Sequence, residues 1–414
     1  MNLRHTPLVL GSLLLGACAS TGPEAPIETP APVGMQTPAT PTVQASAPVA
    51  EPTPIAPAQS GAGIPSTAPS AAQPTPLLDR QALTRLIPES VKDRSGWSND
   101  LYTALLSLRI PASVENACAA MAVIEQESTW QGDPVVPGLP AMVWQQMYAK
   151  AARYGVPQFA VDVAMLKPSP DGRTYKKRID ALRTEREMNV VYEDMVSELP
   201  DAAKALGGKN PIRTGGPMQV SVAFAEDQVK TRGYPYAIRD TVRHEVFTRR
   251  GGTYFGVAML LDYPASYPAA LYRFADYNAG RYASRNAAFQ AAVARLSGRP
   301  LDLDGDLLRY RDEQPQKNPS ATETALIEMR SLGLSARDIR RDLEQEKTAG
   351  FAQTLLWRRV FTMADAKAQK PLAREVLPQI RLSSPKIQRK LTTEWFARRV
   401  DGRYQACLGR AASR

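Results

Sequence analysis

Three short stretches of the chain carry side chains able to do acid–base chemistry. Val123-Ile124-Glu125-Gln126-Glu127-Ser128-Thr129-Trp130 closes an apolar stripe with two carboxylates. Gly215-Gly216-Pro217-Met218-Gln219-Val220 joins a glycine turn to an amide, and Ala275-Asp276-Tyr277-Asn278-Ala279-Gly280 sets an acid, a phenol and an amide side by side. A carboxyl group buried beside aromatic rings is harder to ionise, and with a raised pKa it can deliver a proton near neutral pH. Helical periodicity does not choose between Glu125 and Glu127, because both flank the apolar stripe. Other chemistries have little material. The histidines are His5 and His244, too few for a His-based triad or zinc site, and His244 reads as a surface or capping residue. There is no Walker loop, dinucleotide fingerprint or paired-cysteine zinc spacing, so neither a metal nor an organic cofactor is implied.

The elements that must hold these side chains are helices. Val114, Ala117, Cys118, Met121 and Ile124 recur at helical spacing over 113–128, with Ser113 as a cap, and Trp130 reads as core. The same pattern predicts helices over 178–199, 254–262, 320–332, 335–347, 351–366 and 386–400, separated by Pro-Gly clusters at 133–140, 168–172 and 207–217. Few runs alternate with period two and no repeat recurs, so the fold class is mainly α.

Composition divides the chain sharply. Fourteen of the 35 prolines lie between Pro23 and Pro76, a stretch with no Lys, Arg or aromatic residue. Such a segment cannot bury enough apolar surface to offset chain entropy, and it reads as a disordered tether over 18–78. Of 51 basic and 41 acidic residues, all but Arg4, Glu24, Glu28 and Glu51 lie from Asp79 onward, a net charge of +12 there. No run approaches the ~20 apolar residues of a spanning helix. Before the tether, Arg4 and the apolar run Leu8–Leu15 form a secretory signal pattern over 1–17, and Leu15-Gly16-Ala17-Cys18 resembles the lipobox of bacterial lipoproteins. That resemblance implies a diacylglycerol on Cys18 and, with Ala19 following, an outer-membrane anchor facing the periplasm. Export sets an oxidising compartment, in which Cys118 and Cys407 are expected to pair as a disulfide.

Taken together, the three motifs resemble the catalytic domain of lytic transglycosylases related to goose-type lysozyme. That family carries a Glu-Ser pair ending a helix, then Gly-Leu-Met-Gln, then Ala-Tyr-Asn-Ala-Gly. The resemblance implies a lysozyme-like α-helical domain over 79–312, with Glu127 as catalytic acid and Ser128, Gln219, Tyr277 and Asn278 contacting substrate. It implies cleavage of the MurNAc–GlcNAc bond of peptidoglycan with a 1,6-anhydromuramyl product and no cofactor. The departures are specific. Glu127 and Gln219 lie 92 positions apart rather than some twenty, so 131–214 reads as an insertion. Pro217 stands where the family has leucine. Asp276 leaves a lysozyme-type hydrolysis with Glu127 open. Asp306-Leu307-Leu308-Arg309-Tyr310 fits a fourth motif without its usual Thr, which carries Tyr310 over as a substrate contact. Residues 313–414 read as a C-terminal helical region, and the whole chain fits an uncharacterised family of Gram-negative lipoproteins. A peptidoglycan-binding lipoprotein without turnover is the rival from another class. The basic balance suits peptidoglycan carboxylates or anionic head groups, and an exported lipoprotein meets no nucleic acid routinely.

Overall fold

The computed structural model describes residues 77–199, 210–311, 314–382 and 391–413; Cys18, the signal-like start and the Pro-rich stretch lie outside them. Sixteen α-helices occur among the described residues. The first seven are α1 (Arg80–Leu86), α2 (Arg94–Ser107), α3 (Val114–Ser128), α4 (Leu139–Ala152), α5 (Gln158–Ala164), α6 (Tyr175–Asp180) and α7 (Glu185–Ser197). Then come α8 (Val222–Arg232), α9 (Val242–Val246), α10 (Arg249–Leu261), α11 (Ala270–Ala279) and α12 (Ala283–Ser297). The last four are α13 (Ala321–Glu328), α14 (Ala336–Leu343), α15 (Leu355–Ala368) and α16 (Thr393–Ala412). Two short 3-10 helices (Arg330–Leu332 and Ala349–Gln353) and three antiparallel pairs of two residues complete the set: β1 (Thr214–Gly215) with β2 (Val220–Ser221), β3 (Tyr310–Arg311) with β4 (Gln314–Pro315), and β5 (Arg381–Leu382) with β6 (Leu391–Thr392). The protein is mainly helical. No helix among the described residues is long and apolar enough to cross a membrane.

Polar caps decide where the helices start. The Ser113 hydroxyl accepts the Asn116 N–H and opens α3. The expected helix over 178–199 is two helices instead. Thr184 and Glu187 form a reciprocal capping box that starts α7 afresh after α6 has ended. The Pro-Gly stretch 133–140 does not stay irregular, because Pro140 sits in the first turn of α4, where its missing N–H costs nothing. Likewise α10 begins at Arg249, several residues ahead of the expected start at 254 and running through Gly251 and Gly252.

Three apolar cores result. The first joins α1, α2, α3, α8, α10, α11 and α16 with the hairpin residues Met218 and Val220. The second is made by α4 to α7 with Ile212 and Phe247, and it lies almost wholly in the expected insertion. The third joins α12 with α13, α14 and α15 and takes in Leu307 and Leu308. The grouping differs from a division at 312: the third core starts within α12, while α16 returns to the first core. There Phe396, Ala397, Val400 and Cys407 of α16 are buried, and the helix packs most extensively on α3 and α11. A disulfide joins Cys118 of α3 to Cys407, with the Cα atoms 5.5 Å apart.

Candidate active site

The end of α3 is turned by Thr129 and Trp130, both in the left-handed region with φ of 50° and 63°. A β-branched residue and an indole adopt that region only when their surroundings hold them there, at about 1–3 kcal/mol each. Trp130 is held in the first core, edge-on to Trp97 with ring centroids 5.4 Å apart. Gln219 (φ 51°) and Tyr282 (φ 68°) share this conformation. Four of the seven such non-glycine residues among those described therefore fall in or just after the three motifs, which marks these turns as forced by packing rather than by local preference. Glu127, in the last turn of α3, is half-buried.

The second motif forms the tight turn between β1 and β2. Gly216 takes a φ of 74°, and the Gln219 N–H closes the turn on the Gly216 carbonyl at 3.1 Å. The turn lies against a face of α10 from which side chains are missing: a Cβ at Gly252 would run into the Pro217 ring, and one at Gly256 into Met218. Pro217, the departure from the leucine of the resembling motif, is thus matched by Gly252. Met218 is fully buried.

The third motif ends α11 and reaches back to the second. The Tyr277 hydroxyl donates to the Met218 carbonyl at 2.6 Å, in a buried position. Burial first, and then the negative charge of Glu127, push the Tyr277 phenol well above its ordinary pKa. Glu127, Met218 and Tyr277 therefore converge, although their motifs are far apart in sequence. Glu125 belongs to another side of the helix, where its carboxylate faces Arg403 of α16 at 3.6 Å.

Other expected site residues are placed differently. The Ser128 hydroxyl is buried and donates to the Ile124 carbonyl at 2.9 Å, so its proton is spent within the helix. Asn278 is exposed and accepts the Thr393 hydroxyl at 2.8 Å, facing the start of α16. Tyr310 is not brought to this group. Its hydroxyl donates to Glu346, the Lys347 ammonium stands 3.5 Å over its ring, and it packs on the third core. Asp276 is 1% exposed and accepts four donors: the Tyr263 and Tyr267 hydroxyls at 3.0 and 2.7 Å, and the N–H groups of Tyr282 and Ser284 at 2.8 and 2.7 Å. Burial raises its pKa while these bonds oppose the rise. It ties the start of α12 to the end of α11 and has little capacity left to activate a water.

The family described as "Protein of unknown function (DUF1615)" matches residues 90–410. The chain belongs to this family. A protein of Escherichia coli (strain K12) described as "Uncharacterized protein YaiW" is 48% identical over 322 residues, covering 78% of this chain and 87% of its own. No solved structure matches. The family match runs from before α2 into α16, so the stretch 131–214 and the C-terminal helices lie inside the family's own unit.

Within that unit one residue escaped the sequence reading. Glu185, the first residue of α7 and 6% exposed, accepts the Gln219 side-chain N–H at 2.9 Å. The second donor bond of that amide goes to the Gly216 carbonyl at 3.4 Å. The start of α7 reaches this place because the chain after α3 bridges back to it. Val135 pairs with Thr184, the Val136 N–H donates to the Arg183 carbonyl, and Asp133 pairs with Arg186 at 2.8 Å. No spacing rule links Glu185 to Gln219; the only trace in sequence is a carboxylate directly after a capping Thr. Among the described residues no three His, Cys, Asp or Glu side chains are grouped to hold a metal ion.

Proposed function

We propose that this protein is a peptidoglycan lytic transglycosylase, with Glu127 as its single acid and base and a lysozyme-like arrangement of α3, the β1–β2 turn and α11 as its catalytic unit. The observation that carries this reading is the meeting of the three motifs, with Tyr277 hydrogen-bonded to Met218 and within the field of Glu127. In the proposed reaction the Glu127 carboxyl protonates the glycosidic oxygen between MurNAc and GlcNAc. The C6 hydroxyl of the muramic acid then attacks its own anomeric carbon, and the Glu127 carboxylate takes up the hydroxyl proton. The glycosidic bond breaks, a 1,6-anhydro ring forms, and no water is consumed. Gln219 has both amide protons engaged by Glu185 and Gly216, so its carbonyl oxygen is the group left to accept from a sugar N–H or O–H.

The saturated carboxylate of Asp276 favours this path over a two-carboxylate hydrolysis, which needs a second acid able to act as nucleophile or base. The same proposal places the chain on the outer membrane through a diacylglycerol on Cys18, facing the periplasm. The test is digestion of purified peptidoglycan by the parent and by Glu127→Gln, with product ends identified by mass spectrometry. The expected result is anhydromuramyl ends from the parent and a loss of ~10²–10⁴-fold in the variant. Reducing muramic ends would assign hydrolysis, and a parent that sediments with peptidoglycan without cutting it would assign binding alone.

A further inference from the structure

The second core carries an apolar surface that the proposed chemistry does not use. Val161 of α5 and Met165, which caps its end, face inward and are 1% and 6% exposed. The opposite face is also apolar: Phe159 is 71% exposed, Val163 65% and Leu166 55%. These three follow at spacings of four and three and so share one side of the helix and of the turn that follows it. Tyr154, in the turn before α5, is 69% exposed. Isolated exposed apolar residues are ordinary, but four together on one short segment mark a contact surface.

The charges beside it are one-sided. Lys150 lies one turn before Tyr154 in α4 and Arg153 directly precedes it, and neither has an acidic partner among the described residues. Burial first, and then the neighbouring Arg153, disfavour the charged form of Lys150, and Arg153 itself is exposed. The other charges nearby are engaged: Asp162 accepts the Tyr148 hydroxyl at 2.7 Å, and Lys167 pairs with Glu198 at 2.5 Å.

The geometry points to the α5 face as a docking surface for an anionic lipid bilayer, with Phe159, Val163, Leu166 and Tyr154 entering the acyl boundary and Lys150 and Arg153 meeting the head groups. A short helix held from behind by its own core, with bulky apolar groups outward and uncompensated cations at the edge, has the chemistry of an interfacial membrane contact. The exposed apolar positions carry no charge, and the carboxylate beside them, Asp162, is held by the Tyr148 hydroxyl, which leaves Lys150 and Arg153 as the cations at the edge of the face. The surface is independent of the peptidoglycan reading and of any acyl group on Cys18.

The experiment is vesicle flotation with the full chain carrying Cys18→Ser, so that no lipid anchor contributes. Vesicles of phosphatidylglycerol and phosphatidylethanolamine are compared with vesicles of phosphatidylcholine. The parent is expected to float with the anionic vesicles. The bound fraction should fall at least about tenfold in Phe159→Ser/Val163→Ser, whose exposed positions leave the melting curve unchanged. Lys150→Gln/Arg153→Gln, or a rise from about 0.1 to about 0.5 M salt, should remove the preference for anionic lipid. A parent that stays at the bottom of the gradient overturns the inference, as does equal flotation of the apolar double variant. A Phe159-dependent dimer without flotation would assign the face to a second copy and also overturn it.

Discussion

Glu125 and Glu127 are two residues apart and do different work. Glu125 faces Arg403, so Glu125→Gln should cost at most about 1 kcal/mol of stability and leave lytic activity within about twofold, measured on the same peptidoglycan substrate. A dead Glu125 variant beside an active Glu127→Gln would reverse the assignment. Glu185 acts through Gln219. Its truncation to Ala frees the amide to turn, and kcat/KM should drop by about 10–100-fold, whereas Glu185→Gln keeps an acceptor oxygen and should retain most of the rate. Equal losses in the two variants would mean that the carboxylate, not the bond, is needed. The choice of Glu127 over Glu125 was open in the periodicity, because two positions on one helix end differ only in what other segments bring to them. Cys118 and Cys407 were legible from compartment chemistry, and Glu185 was not, since the chain folds back on itself to deliver it.

Helices with strong apolar stripes, such as α3, α14 and α15, could be read from spacing alone. In α10 helix propensity and packing pull in opposite directions. Gly252 and Gly256 count as helix breakers by propensity, yet they form the flat face on which Pro217 and Met218 sit. Gly252→Ala tests which effect wins. Alanine gains about 1 kcal/mol in helix propensity, but its Cβ meets the rigid Pro217 ring and the Val246 carbonyl, and overpacking costs about 1–3 kcal/mol. The expected outcome is a lower melting temperature together with weaker lytic activity, because Met218 carries the carbonyl that Tyr277 grips. A stabilised variant with full activity would show that the turn gives way freely.

For the molecule as a whole, two stability tests reach beyond the site. Burial lifts the Glu346 carboxyl to about 7 from 4.5. An acid whose pKa is raised by folding stabilises the fold while protonated. That contribution is complete below about 4.5 and is lost as pH rises through about 7, a difference of roughly 3 kcal/mol. Urea midpoints from pH 5 to 8 should therefore fall in the parent and stay flatter in Glu346→Gln. The disulfide is checked by counting thiols in the denatured, unreduced chain beginning after Cys18: none should titrate, and Cys118→Ala/Cys407→Ala should lose about 2–5 kcal/mol with lytic activity retained at 25 °C. The mainly helical class was plain from the sequence, but the grouping of helices was not, because periodicity says which face is buried and nothing about which partner covers it. That grouping also sets an order of assembly. The second and third cores are built almost entirely from contiguous stretches, whereas the first gathers α3, the β1–β2 turn, α10, α11 and α16 across both of them. Bringing Cys118 to Cys407 in an open chain means closing a loop of 289 residues, and prior compaction of the two intervening cores shortens the path that must close. Glu127, Met218 and Tyr277 meet across the second core alone, so loop-closure entropy favours compaction of that core before the site assembles, and the Cys118–Cys407 closure spans both cores.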